Sequence, residues 1–200
     1  MRDPRQMQSL ENMGVDFMGM IFFPKSPRFV DGEDVCSGCV PKKIAKVGVF
    51  VNADLATVVA TVKKYNLSFV QLHGGEDVDF ANTVKKHTGV GIIKAVSVSG
   101  VGDVKNLSVE WEGVADYMLF DYKCAGYGGS GQQFDWAVLD EYSLDLPFLL
   151  SGGVGVDDAE AVKKIKHPKF AGVDVNSKFE ISPANKDIEK IKTFLSIIRQ

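Results

Sequence analysis

The chain has 200 residues, 45% of them hydrophobic, which suits one domain, residues 1–200, with a sizeable core. Its 23 basic and 26 acidic residues give a net charge of −3 without any block of like charge, which argues against binding to nucleic acid or to a membrane surface. No apolar stretch approaches a membrane span and the N-terminus has no apolar signal-like region, so we expect a cytoplasmic protein.

The first elements predicted along the chain are a helix and a strand. Asp3 is a suitable N-cap and Pro4 suits a first helical turn, so a helix is predicted up to Gly14. A strand is predicted over 16–23, followed by a loop, 24–28, that two prolines stiffen. The chain therefore opens on a helix, with no strand before it.

From there, strands and helices alternate. Leu55, Val58, Val59 and Val62 recur at helical spacing, and the same spacing marks the last helix. This alternation predicts parallel βαβ units with helices on the outside. The other strands predicted from short apolar runs are 46–51, 67–72, 91–96, 114–120, a run ending at residue 151, and 173–175.

The cysteines give little sign of chemistry. Their odd number, three, fits a reducing compartment better than a disulfide framework. Cys36 and Cys39 form a Cys-x-x-Cys pair, but no second pair or histidine lies at zinc-finger spacing. We interpret the pair as incidental thiols and expect no metal site.

Two strand ends near the C-terminus have residues typical of an anion site. The apolar run that ends at residue 151 is followed by Gly152-Gly153, and the run over 173–175 is followed by Asn176-Ser177. Adjacent parallel strands that end this way aim backbone N–H groups and a hydroxyl at one anion, so we predict a phosphate site there. Gly152-Gly153 alone also fits a plain strand-to-helix turn.

Seven predicted strands favour a (β/α)8 TIM barrel whose eighth strand would precede Met1. The alternative is a doubly wound open sheet. That fold usually has its glycine-rich phosphate turn after the first strand, whereas the phosphate-like turns here lie near the C-terminus.

Seven motifs recur in an order that closely resembles phosphoribosylanthranilate isomerase, over essentially the whole chain. The resemblance implies a (β/α)8 barrel that converts N-(5-phosphoribosyl)anthranilate to 1-(2-carboxyphenylamino)-1-deoxyribulose 5-phosphate in tryptophan biosynthesis, without a cofactor. The implied partner is therefore a phosphorylated small molecule. The motifs are Phe22–Arg28, Val47–Asn52, Val70–Gly74, Leu119–Asp121, Gly128–Gly131 with Phe134–Trp136, Ser151–Gly153 and Gly172–Ser177.

By the same resemblance, Asp121 is the general acid. It lies at the carboxyl end of a predicted buried strand, where barrel enzymes place catalytic residues, and exclusion of water there favours the protonated form. The alternative is an Asp that caps the following loop.

Four further residues are predicted to bind the substrate. Arg28 suits the planar anthranilate carboxylate through two parallel hydrogen bonds, although a surface arginine on a proline-rich loop is the alternative. Gln71 and His73 alternate on one strand, so both face inward near the rim, where His73 is equally well explained as a structural residue. Asp174 is expected either to contact the sugar or only to buttress the barrel.

A glycine-rich loop is predicted to close over the site. Gly128, Gly129, Ser130 and Gly131 lack the spacing and the lysine of a nucleotide-binding P-loop, and their flexibility suits a lid that excludes water.

The family's first strand ends in a Lys-x-Cys-Gly-like motif whose cysteine is the general base. Met1 falls just after that motif, so we expect strand 1 and the base to be missing. Without the base we expect low activity. We also expect a monomer, or a weak homodimer that associates through the open sheet edge. None of Cys36, Cys39 and Cys124 ends a first strand. Alternatives are a non-catalytic phosphate-ligand-binding barrel and a related indole-glycerol-phosphate enzyme with Lys94 as catalytic lysine.

Overall fold

The computed structural model describes residues 1–31, 41, 43–122 and 133–200. Within them, seven parallel strands form one sheet in which each strand pairs with the next along the chain. Parallel neighbours require crossover connections, and in the described part of the chain helical segments lie in each connection from β2 to β7. The strands are β1 (Phe17–Ile21), β2 (Ala45–Phe50), β3 (Phe69–Leu72), β4 (Gly91–Val98), β5 (Tyr117–Tyr122), β6 (Phe148–Leu150) and β7 (Phe170–Val173).

Helical segments connect the strands from β2 to β7, and one α-helix precedes β1 while another follows β7. The α-helices are α1 (Pro4–Asn12), α2 (Leu55–Tyr65), α3 (Val78–Thr88), α4 (Val101–Lys105), α5 (Ala159–Val162) and α6 (Ile188–Ile198). Short 3-10 helices occupy Val109–Gly113, Trp136–Glu141, Val156–Asp158 and Ser177–Phe179. In the described part of the chain, no helix is both long enough and apolar enough to cross a membrane.

Aspartates begin the longer helices. The carboxylates of Asp3, Asp54, Asp77 and Asp187 each accept a hydrogen bond from a backbone N–H in the first turn of α1, α2, α3 and α6, respectively. Those N–H groups have no partner within the helix, so each cap stabilises its helix by about 1 kcal/mol. The helix start predicted from the sequence at Asp3 follows from this chemistry.

The inner face of the sheet has its own small core. Phe17, Phe69 and Tyr117 come from β1, β3 and β5, yet their ring centroids lie only 5.2 to 6.0 Å apart in edge-to-face contacts. Side chains of alternate strands meet in this way only when the sheet curls, as in a TIM barrel, whose interior consists of such layers. The sheet is therefore TIM-barrel-like.

The edges of the sheet, β1 and β7, do not pair with each other among the described residues. Residues of both edges line one cavity, together with Leu10 of α1 and Phe194 of α6. The Met1 ammonium group lies beside β1 and donates a hydrogen bond to the Gly19 carbonyl at 2.7 Å. The expected parallel (β/α) architecture is thus confirmed for seven strands, and the truncated eight-stranded barrel stays a prediction.

Two sequence predictions differ from the structure near the C-terminus. The strand predicted over 173–175 lies earlier, in β7, because pairing with β6 begins at Phe170 and a register shift follows. A hairpin of β8 (Glu180–Ser182) and β9 (Asn185–Lys186) was not predicted. Strands of three and two residues are too short to show the alternation that identifies a strand.

Candidate active site

One cavity of about 580 Å³ extends along the inner face of the sheet, from the start of β1 to the carboxyl ends of the strands. His73 follows β3, Asp121 lies near the end of β5, and Asp174 follows β7, so all three stand at the carboxyl edge. The cavity brings together all nine predicted site residues of the described chain. They are Arg28, Gln71, His73, Asp121, Gly152, Gly153, Asp174, Asn176 and Ser177.

Asp121 is the end of a hydrogen-bonded chain that starts on β3. Its Oδ2 lies 3.2 Å from His73 Nε2, and His73 Nδ1 lies 2.8 Å from Gln71 Nε2. Because an amide nitrogen only donates, Nδ1 is the acceptor and the ring proton resides on Nε2, facing Asp121. Gln71 therefore sets the tautomer of His73, and His73 orients the carboxyl group of Asp121.

The turn after β6 lies directly against Asp121. Gly152 has a φ of +84°, and a Cβ built on it would be 2.5 Å from Tyr122 N and 3.0 Å from Asp121 Oδ1. Gly153 also has positive φ, at 71°. Only glycine fits this turn without strain, because L side chains rarely adopt such φ values and backbone atoms leave no room. The tight approach brings the predicted phosphate-binding turn and the predicted acid together.

Asp174 is a second carboxyl group in the cavity wall. Ser151 Oγ donates a hydrogen bond to its Oδ2 at 3.0 Å. Burial raises the pKa of Asp174 above its ordinary value, and the negative charge of Asp121 adds to this, against the opposing hydrogen bond from Ser151. The sequence did not identify Ser151 as its partner.

Arg28 lies in the cavity wall, held by a residue that the sequence did not identify. Its Nε donates to the two carboxylate oxygens of Glu180 at 3.1 and 2.9 Å, and its Nη2 donates to Oε2 at 2.7 Å. Glu180 begins the unpredicted β8, 152 positions further along the chain. Such a partner carries no local sequence signal.

Lys186, on β9, joins this ion pair to the predicted phosphate loop. Its Nζ lies 3.3 Å from Glu180 Oε1 and donates to Asn176 Oδ1 at 2.6 Å and to the Asn176 carbonyl at 3.1 Å. The side-chain oxygen of Asn176 thus accepts a hydrogen bond from Lys186, and for an anion this loop offers backbone N–H groups, the side-chain N–H groups of Asn176 and the Ser177 hydroxyl.

Some predicted residues fall elsewhere. The predicted lid, Gly128 to Gly131, and all three cysteines lie outside the described residues. Lys94 does not line the cavity: its Nζ donates to the Gly74 carbonyl at 2.9 Å and lies 3.6 Å from Glu76, so the interpretation of Lys94 as catalytic is wrong. The described chain contains no group of three or more His, Cys, Asp or Glu side chains that could hold a metal ion.

Comparison with known proteins identifies the family to which the chain belongs. The model of the family described as "N-(5'phosphoribosyl)anthranilate (PRA) isomerase" matches residues 1–196. The chain belongs to this family. It is 41% identical to the N-(5'-phosphoribosyl)anthranilate isomerase of Parabacteroides distasonis, over 99% of the chain and 90% of that protein. It is 38% identical to that of Phocaeicola vulgatus, over 100% and 95%.

Solved structures of phosphoribosylanthranilate isomerases have the same fold. The enzyme from Thermotoga maritima superposes with a TM-score of 0.84 at 29% identity, covering all of this chain and 95% of that one. A phosphoribosyl anthranilate isomerase solved with reduced 1-(o-carboxyphenylamino)-1-deoxyribulose 5-phosphate gives a TM-score of 0.81 at 26% identity, with the same coverage. The resemblance noted in the sequence motifs is therefore confirmed at the level of family and fold.

Proposed function

We propose that this protein catalyses the Amadori rearrangement of N-(5-phosphoribosyl)anthranilate to 1-(2-carboxyphenylamino)-1-deoxyribulose 5-phosphate in tryptophan biosynthesis. The observation that carries the proposal is one cavity whose wall holds Asp121, Arg28, and the turns at Gly153 and Ser177. Such a cavity offers a proton donor, a carboxylate partner and an anion-binding turn to a single ligand.

In this proposal, Asp121 protonates the ribose ring oxygen. The C1–O bond then breaks while the nitrogen lone pair forms a C=N bond, which leaves an open-chain iminium ion. A base next removes the C2 proton to give an enolamine, and addition of a proton to C1 with loss of the proton on the C2 hydroxyl yields the ketone. His73 donates its Nε2–H to Asp121 whenever the acid is ionised, and so holds the carboxyl group in place between turnovers.

The two ends of the substrate are fixed separately. Arg28 binds the anthranilate carboxylate, since a guanidinium matches a planar carboxylate in charge and geometry. The phosphate lies against the backbone N–H groups of the Gly152–Gly153 turn and against Ser177, in the position that barrels commonly use for phosphate. Asn176 contributes N–H groups of its backbone and side chain. Gln71 orients His73, and Asp174 faces the sugar.

The fold proposal extends the seven strands to eight. An eighth strand lying between β1 and β7 completes the barrel and, by the family resemblance, brings the general-base cysteine to the cavity. Among the residues that the structure describes, β1 and β7 do not pair with each other although both line one cavity, which supports this proposal. We also propose that the protein is cytoplasmic and that it is a monomer or weak homodimer. Sedimentation velocity over a range of concentrations tests the oligomeric state.

Replacement of the acid tests the function. Asp121→Asn lowers the turnover of N-(5-phosphoribosyl)anthranilate by about 100-fold or more, because the amide cannot supply the proton. Binding of the reduced product analogue, measured by calorimetry, persists. Equal turnover by the variant would contradict the role of Asp121. Binding of the analogue without any turnover by the chain, even with the eighth strand added, would favour a non-catalytic binding barrel instead.

A further inference from the structure

Within the described part of the chain, one edge of the Arg28 guanidinium group is occupied. Glu180 holds the edge formed by Nε and Nη2 through the three hydrogen bonds described above. Among the described residues, Nη1 and the second Nη2 hydrogen have no protein partner. A guanidinium carries five N–H donors in a planar fork, so the Nη1–Nη2 edge remains able to bind a second carboxylate in the same plane.

Glu180 is itself immobilised. Its side chain is only 4% exposed, and Oε1 also accepts a hydrogen bond from the Ala184 N–H at 3.1 Å. Burial alone would raise the pKa of Glu180, but the hydrogen bond from Arg28 and the charge of Lys186 hold it below the ordinary value. Glu180 is therefore an ionised, fixed carboxylate, so the orientation of Arg28 is set before any ligand arrives.

The same carboxylate is tied to the proposed phosphate end of the site. The Nζ of Lys186 contacts the Glu180 carboxylate and also donates to the side chain and the carbonyl of Asn176. Asn176 is the residue just before Ser177. Arg28, Glu180, Lys186 and Asn176 thus form one continuous polar network. Its three charged members sum to one positive charge, which suits one carboxylate on the ligand.

We propose that Glu180 is a positioning and specificity-determining residue: it presents the free edge of Arg28 at a fixed distance from the Ser177 loop. The site then selects ligands whose carboxylate and phosphate are separated by the span of phosphoribosylanthranilate. This inference rests on the proposed function. Preorganisation of this kind avoids the entropic cost of ordering a long arginine side chain upon binding, and so favours the ligand that matches.

Calorimetry with two probes tests the proposal. One probe is the reduced carboxyphenylamino-deoxyribulose 5-phosphate, and the other is the same compound without its carboxylate. We expect the unaltered chain to bind the first at least about tenfold more tightly. Glu180→Gln should reduce that preference about three- to tenfold, because Arg28 then has no fixed orientation, while binding of the decarboxylated probe through its phosphate is retained.

Glu76→Gln is the matched control. Glu76 is equally buried, at 4% side-chain exposure, and also contacts a buried lysine, Lys94, but it does not line the cavity. A merely structural role for Glu180 predicts that both variants lower the melting temperature and leave the preference intact. That result overturns the proposal, as does a Glu180→Gln variant with an increased preference, which would show that Glu180 competes with the ligand for Arg28.

A measurement on the unaltered chain tests the proposal even if the Glu180→Gln variant does not fold. A probe with one methylene inserted between the ring and the carboxylate should bind about tenfold more weakly than the first probe, because a fixed Arg28 cannot follow the displaced group. Equal binding overturns the proposal. Failure of the unaltered chain to bind either original probe instead refutes the proposed function itself.

Discussion

At the scale of single residues, the site depends on carboxyl groups in unlike surroundings. Asp121 accepts hydrogen bonds from the backbone and from His73, Asp174 has one hydroxyl partner, and Glu180 is held by two cations. Asp121 and Asp174 have different partners although both stand at strand ends, and this difference lets one fold assign different tasks to similar side chains.

The buried carboxyl group of Asp174 predicts a pH dependence of stability. The unfolded chain releases this proton near pH 3.9, whereas the folded protein retains it to a higher pH. The favourable contribution is therefore complete below the unfolded pKa and is lost as the pH rises through the raised folded pKa. Relative to Asp174→Asn, the melting temperature of the unaltered chain should fall as the pH rises above the ordinary pKa of an aspartate, about 4.

Asp54 supplies a control of opposite sign. Hydrogen bonds from the backbone N–H and the hydroxyl of Thr57 lower the pKa of this helix cap. Its contribution is present above the unfolded pKa and is lost as the pH falls through the lowered folded pKa. For each variant, Asp54→Asn and Asp174→Asn, the compared quantity is the difference in melting temperature from the unaltered chain. Differences that do not change with pH would contradict both assignments.

At the scale of elements, the sequence predicted best the residues at the carboxyl ends of the strands. Asp121 and Gly152 could be identified because polar or glycine residues interrupt apolar runs at those points. Glu180 and Lys186 could not, because they lie in a hairpin too short to show a pattern and act on a residue far away in the chain. The position of β7 was also missed, since a register shift rather than the apolar run determines where it pairs.

The turn after β6 is the element most sensitive to a small change. Gly152→Ala should destabilise the fold by at least about 1 kcal/mol, because alanine is strained at positive φ. It should also lower turnover, since the added Cβ displaces Asp121. Gly155→Ala is the control: φ there is −123°, and its Cβ would make only ordinary contacts, with Asp158 Oδ2 at 3.5 Å and with the Lys178 side chain at 3.8 and 3.9 Å. Chemical denaturation and turnover assays that show equal effects for both variants would refute this view of the turn.

At the scale of the whole molecule, the alternation of strands and helices predicted a parallel sheet, and the structure shows why the prediction succeeded. Outward-facing strand residues are buried under the helices, whereas the inner face is filled by a few side chains such as Val47, Ile93 and Leu119. Both faces are covered, which produces near-continuous apolar strands. The curl of the sheet depends on contacts between alternate strands, which no local pattern reveals.

The proposed eight-stranded barrel gives a prediction for an extended protein. Adding a strand that ends in Cys-Gly ahead of residue 1 should increase turnover by about 100- to 10,000-fold, the usual contribution of one acid–base group. It should also raise the melting temperature, because both sheet edges become paired. The matched control ends in Ser-Gly and should gain the stability without the rate. Unchanged melting temperatures for both extended proteins would contradict the eight-stranded arrangement.

The most direct test of the account is a crystal structure of this chain with reduced carboxyphenylamino-deoxyribulose 5-phosphate. We predict phosphate oxygens within about 3 Å of the Gly153 N–H and the Ser177 hydroxyl, with the ligand carboxylate on the Nη1–Nη2 edge of Arg28. The carboxyl group of Asp121 should face the sugar. A ligand whose phosphate lies away from both turns, or an Asp121 directed out of the cavity, would contradict the proposed active site.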